Sequence, residues 1–166
     1  MAEANTHEHL YEILKDFRTA MLVTRDDDGK MHGRPMAVAE LNKDGQTFFA
    51  TDAHSAKTAE AMADPNVVIT FQSSSEFASL TGTLAVIRDR ALIDRLWSDT
   101  WRVWFPDGKD DPNLVLLSVT PSEAEYWDNS GSEGLKYAFE AVTAYFKGRR
   151  PETDTSQNAK VKLRGV

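Results

Sequence analysis

The sequence predicts a mainly β domain, an antiparallel barrel with helices set around it. Three observations point there. Six or seven short strand-like segments follow one another at close spacing. Asp-Gly turn signals separate the first of them, at Asp26 to Gly29 and Asn42 to Gly45. Helical spacing is confined to a few stretches between and after the strands, and does not alternate with them as in a βαβ sheet.

Asn5 or Thr6 is placed to cap a first helix, with Leu10, Ile13, Leu14 and Phe17 at helical spacing. Ala20 to Thr24, Met31 to Leu41 and Gln46 to Thr51 then read as a meander of strands. Ser55 opens an alanine-rich helix over Ala56 to Ala63, and Asp64-Pro65-Asn66 stops it, because proline cannot continue a helix. Val67 to Gln72 is a strand. Phe77 to Arg88 is another, and Gly82 inside it marks a bulge. Arg90 to Trp97 has helical spacing, and Trp101 to Asn113 is expected as an aromatic loop. Leu114 to Val119 and Glu123 to Trp127 are expected as two strands joined across Pro121. Gly134 to Phe146 is expected as a final helix. Gly148 to Asn158 is polar, and Ala159 to Val166 carries a faint strand pattern. The expected organisation is one domain over residues 6–147 with a polar tail over residues 148–166.

Composition narrows the function. There are 166 residues, 41% of them hydrophobic, so a sizeable core needs no disulfide or metal to hold it. The absence of cysteine removes thiolate catalysis, iron–sulfur clusters and Cys-type zinc sites. It fits a reducing cytosol, and the opening residues MAEANTHEHL carry no secretory pattern, so a cytoplasmic protein is expected. Apolar runs as short as Leu114 to Leu117 predict no membrane span. A net charge of −7 argues against nucleic acid as a partner, since phosphate backbones need a basic surface.

The segment Phe48 to Thr58, F-F-A-T-D-A-H-S-A-K-T, is the most informative for chemistry. A strand ends in it and a helix begins. Helix N-termini expose unpaired N–H groups and positive partial charge, which suits an anion. Thr51 and Ser55 add hydroxyls, and His54 lies between them. Lys57 adds a cation in the first turn, where cations are disfavoured unless an anion is bound. An ordinary capped helix with a solvated lysine stands as an equal alternative on this ground alone. Arg34, in Gly33-Arg34-Pro35-Met36, has a fork suited to phosphate or a ring carbonyl, or is a surface arginine on an edge strand. Trp101, Trp104, Phe105, Tyr126 and Trp127 fit either a stacking wall for a planar ligand or core filling. His7 and His9 lack the further ligands of a metal site, and His32 stands alone.

Taken in order, these pieces resemble the pyridoxamine-phosphate-oxidase-like FMN-binding split barrels, in particular their bacterial general-stress-protein branch. The likeness runs from Thr6 to Phe146. It rests on R-P-M at Arg34 to Met36, F-F-A-T-D-A-H-S-A-K at Phe48 to Lys57, D-P-N-V at Asp64 to Val67, L-T-G-T-L at Leu80 to Leu84, W-F-P-D-G at Trp104 to Gly108, and A-E-Y-W-D at Ala124 to Asp128.

The resemblance implies a six-stranded split barrel that forms a homodimer with flavin sites at its interface. It implies that Arg34, Pro35, Met36, Ala37 and Val38 line the ring and ribityl chain. Ala50, Thr51, His54, Ser55 and Lys57 would surround the phosphate, and Trp104 and Trp127 would close over the flavin. FMN is the implied cofactor, and FAD stays open because an interface site lets an adenylate tail protrude. The sequence departs from the oxidases proper in two places. Ala56 stands where they carry an arginine, and no Arg-x-His pair follows Trp127, so pyridoxamine-phosphate oxidation is not expected. A flavin-binding stress protein without an assigned substrate is the leading expectation. A flavin-dependent oxidoreductase using NAD(P)H or a small planar substrate is the alternative, and a deazaflavin- or haem-binding barrel is a third.

Overall fold

The computed structural model describes residues 2–129 and 158–163. Helix α1 (Ala2–Leu14) leads into β1 (Thr19–Arg25), β2 (Met31–Leu41) and β3 (Thr47–Asp52). Antiparallel pairing of β1 with β2 and of β2 with β3 makes the expected meander. Its first turn is closed by the Lys30 amide donating to Asp26 Oδ1 at 2.8 Å. Gly29 takes φ 81° there, a value that disfavours any side chain.

Helix α2 (Ala56–Ala63) follows, then β4 (Asn66–Gln72) and β5 (Glu76–Ile87). Next come α3 (Arg90–Leu96), β6 (Leu114–Asp128) and β7 (Asn158–Lys162). The strands hydrogen-bond in the order β3-β2-β1-β4-β5-β6-β7. β3 also pairs with β6, which closes the first six into an antiparallel barrel. Closure removes free edges from those strands. Inside lie Leu22, Phe49, Ile69, Phe71, Leu80, Leu117 and Val119, all nearly inaccessible to water. Leu10, Ile13 and Leu14 of α1 join the same core, as do Val161 of β7 and Leu163 just after it.

Two expectations change. Leu114 to Trp127 is one strand, not two. β6 pairs with β3 through Val119 and with β7 only from Glu123, so at Pro121 no third strand needs the N–H that proline lacks. On the other side Pro121 faces Gly82, at the bulge between Thr81 and Gly82. A Cβ on Gly82 would lie 2.2 Å from the Thr120 carbonyl oxygen, so only glycine fits that crossing. The expected aromatic loop contains two 3₁₀ turns, Asp99–Val103 and Gly108–Asp110. The faint strand pattern over Ala159 to Val166 is met by Asn158–Lys162, which forms β7 against β6. The helix expected over Gly134 to Phe146 lies outside the described residues.

Candidate functional site

A cavity of about 400 Å³ opens where β2, β3, the start of α2 and the 3₁₀ turn after α3 meet. Its walls are Pro35, Met36, Ala37, Ala50, Thr51, Asp52, Lys57, Trp101, Trp104 and Phe105. The volume is within the usual range for small-ligand sites, about 300–1,000 Å³.

Each wall has a local cause. Pro35 and Ala37 alternate outward along β2 while Met36 turns inward, the two-residue period of a strand. Ala50 to Asp52 end β3, and the chain then turns sharply into α2. The Ala53 amide donates to the Asn113 carbonyl at 2.7 Å, and the His54 amide to Asp52 Oδ1 at 2.6 Å. Ser55 is the N-cap in extended conformation, yet its hydroxyl makes no capping bond to the helix backbone. Ser55 Oγ lies instead 2.9 Å from Thr58 Oγ1 and 3.4 Å from Thr51 Oγ1. Thr58 Oγ1 donates to the Asp52 carbonyl at 2.9 Å. This hydroxyl chain braces the strand end against the first helical turn. The amides of Ala56 and Lys57 open the helix and have no acceptor within it.

Lys57 is half-buried and, among the described residues, makes no ion pair. Burial pushes its pKa below the ordinary lysine value, and the nearby Arg34 charge pushes the same way; Asp52 and Glu60 oppose this. The charged ammonium is thus held in a position that an anion would relieve.

Trp101 lies in the 3₁₀ turn Asp99–Val103 and Trp104 caps its end, and the two face differently. Trp101 is 8% exposed, packs with Ile93, Phe105, Leu114 and Leu116, and meets the Trp97 ring edge-on at 5.7 Å between centroids. Trp104 is 70% exposed at the cavity mouth. A solvent-facing indole beside a buried one gives the cavity an aromatic wall with an open outer side.

The expected binding residues divide clearly. Pro35, Met36, Ala37, Ala50, Thr51, Lys57 and Trp104 are brought together around the cavity. Arg34, Val38, His54, Ser55 and Trp127 do not line it. Val38 packs against the barrel core, and Ser55 stands behind Thr51. His54 is largely exposed beside Asp52, with 3.6 Å between its Nδ1 and the carboxylate. Trp127 lies far along β6, paired with Phe77 of β5 and Asn158 of β7. Arg34 turns under α2, where it donates to Glu60 Oε2 at 2.8 Å and to Thr24 Oγ1. Asp52, Trp101 and Phe105 were not singled out as binding residues. Asp52 sits inside the informative segment, and the two aromatics belong to the run that fitted wall or core equally well.

No helix of the described residues is long and apolar enough to cross a membrane. Among the described residues no cluster of His, Asp and Glu is arranged to hold a metal ion.

Comparison with known proteins gives a consistent picture. The sequence profile of the pyridoxamine 5'-phosphate oxidase-like family matches residues 5–152. General stress protein 26 of Bacillus subtilis is 30% identical over 129 residues, covering 74% of this chain and 89% of that protein. Protein bli-3 of Neurospora crassa is 29% identical over 119 residues, or 64% of this chain; the match spans only 57% of bli-3. Among solved structures, the general stress FMN/FAD binding protein of Xanthomonas citri is 35% identical with a TM-score of 0.65, covering 78% of this chain and 92% of that one. The barrel, the cavity at the strand-to-helix turn and these matches agree: the chain belongs to the pyridoxamine 5'-phosphate oxidase-like family.

Proposed function

We propose that this chain is a flavin-binding general stress protein. The flavin ring would lie against Trp101, Trp104, Phe105 and the Pro35–Ala37 strand, with its phosphate at the start of α2. The observation that carries this reading is the pairing, in one cavity, of an aromatic wall with a half-buried lysine that has no ion-pair partner among the described residues. The name of the Xanthomonas citri relative, at 35% identity, supports the same ligand class, FMN or FAD. When bound, the flavin supplies whatever redox chemistry occurs. The chain's own residues would bind and orient it: Thr51 and the Lys57 ammonium would meet the phosphate, and Trp101 and Phe105 would exclude water from one side of the ring.

The protein is proposed to act as a homodimer. On the outer face of the barrel the register aligns Thr19 with Ala37, Met21 with Pro35, and Val23 with Gly33. That face is exposed, largely apolar, and continuous with the cavity through Pro35 and Ala37. A second copy seated on it would cover Met21, and its own Trp127 is the proposed closing residue.

The test is direct. The purified protein should carry, or take up on titration, a yellow ligand identified by mass spectrometry as FMN or FAD. A haem or deazaflavin spectrum, or failure of either flavin to bind, would overturn the reading. Steady turnover of NAD(P)H with an acceptor would make the protein an oxidoreductase; a bound flavin that no reductant reduces would leave it a carrier or sensor.

A further inference from the structure

The phosphate end of the cavity carries four charged side chains from three elements: Arg34 of β2, Asp52 of β3, and Lys57 and Glu60 of α2. Arg34 does not reach the cavity. Its Nη2 donates to Glu60 Oε2 at 2.8 Å, and Thr24 Oγ1, fully buried, donates to the same oxygen at 2.5 Å. The pair is shielded, at 23% and 13% side-chain exposure. Burial alone would raise the Glu60 pKa; the hydrogen bonds from Thr24 and Arg34, with the charges of Arg34 and His32, outweigh it and hold the carboxyl ionised. On the cavity wall itself Asp52 shares the lining with Lys57 without forming an ion pair with it. The first helical turn offers no further cation, because Ala56 and Thr58 flank Lys57. With Arg34 held by Glu60, Lys57 is the one side-chain cation among the described residues left to meet a phosphate there.

A phosphate monoester such as FMN carries two charges above its second pKa of about 6. A phosphate linked on both sides, as in FAD, carries one. In a site with one free side-chain cation the second charge has no counter-ion, and a partly buried unmatched charge is costly. Resting on the flavin reading above, we propose that Glu60, by holding Arg34, makes this site select a flavin whose inner phosphate carries a single charge, as FAD does, over the FMN dianion. Glu60 would be a specificity-determining residue that acts through Arg34 without touching the ligand.

The test titrates the flavin-free, full-length protein with FMN, FAD and riboflavin between pH 5.5 and 8. FMN affinity should fall about tenfold or more from pH 6 to pH 8, as the monoanion disappears. FAD affinity should change by no more than about threefold, since its phosphates do not titrate there. His32, His54 and Lys57 also face this cluster, and a change in their charge would move FMN and FAD in the same direction, so the Glu60→Gln variant together with the pH profile assigns the effect to Glu60. Glu60→Gln keeps an acceptor for Arg34 and Thr24 while removing the negative charge. It should strengthen FMN binding at pH 8 by about fivefold or more and leave riboflavin unchanged. FMN binding as tight as FAD at pH 8, or a ratio that Glu60→Gln does not move, would overturn the inference and leave the flavin reading standing. Failure of all three flavins to bind would overturn both.

Discussion

Replacing Lys57 by methionine should affect ligand binding and apo stability in opposite directions. Methionine keeps most of the stem that packs at the cavity wall and removes the charge. A hydrogen bond assisted by a full charge is worth about 1.5–3 kcal/mol. Lys57 is only half-buried, and solvent screening moves the expectation toward the lower end of that range. The dissociation constant for FMN or FAD should therefore rise about tenfold to a hundredfold. Without ligand the ammonium is a liability: burial and Arg34 lower its pKa. A lysine whose folded pKa lies below its unfolded value binds more protons when unfolded. Its penalty is therefore fully present at neutral pH and is relieved as pH rises through the folded value toward 10.5. The apo variant should melt no lower than the wild type at pH 7, and its stability should rise less steeply as pH approaches 10.5. Quenching of flavin fluorescence measures the first effect, and thermal unfolding followed by circular dichroism the second. A dissociation constant within about twofold of wild type would refute the phosphate role of Lys57.

The two cavity tryptophans should separate binding from folding. Trp104→Ala, at an exposed position, should leave the melting temperature nearly unchanged and weaken flavin binding by roughly 0.5–1.5 kcal/mol in a fluorescence titration. Trp101→Ala should cost about 3–5 kcal/mol in urea unfolding, because it empties a packed cluster. Gly82→Ala should lower the urea midpoint by the equivalent of about 2 kcal/mol or more, since its Cβ meets the backbone of Thr120 and Pro121. Met21→Glu places a charge on the proposed dimer face; sedimentation velocity should show a shift to monomer, with flavin affinity falling by about tenfold or more. A Met21→Glu dimer that binds flavin normally would place the interface elsewhere.

Much of the fold was legible because its cues are local. The Asp-Gly turns, the short apolar run Ala20 to Thr24 and the proline after Ala63 are each cues carried by a few neighbouring residues, and the meander and α2 follow from them. The same holds for the start of the site. Thr51, Asp52, Ser55 and Lys57 lie within one turn of chain, so the strand-to-helix junction and its lysine could be read from seven consecutive residues. What the sequence by itself could not determine is where distant side chains meet. Arg34 looks available for a phosphate until the closed barrel brings Glu60, 26 positions away, against it. Trp101 and Trp104 are equivalent as letters; only packing against Ile93 and Leu114 sends one inward and leaves the other at the cavity mouth. Pro121 reads as a break until β6 is seen to exchange β3 for β7 there, and the last strand reaches the core only through its register with Glu123 to Trp127. Local spacing encodes dihedrals and periodicity. Charge pairing, burial and strand exchange depend on the whole closed sheet, and it is these that give the cavity its aromatic wall and its single unpaired cation among the described residues.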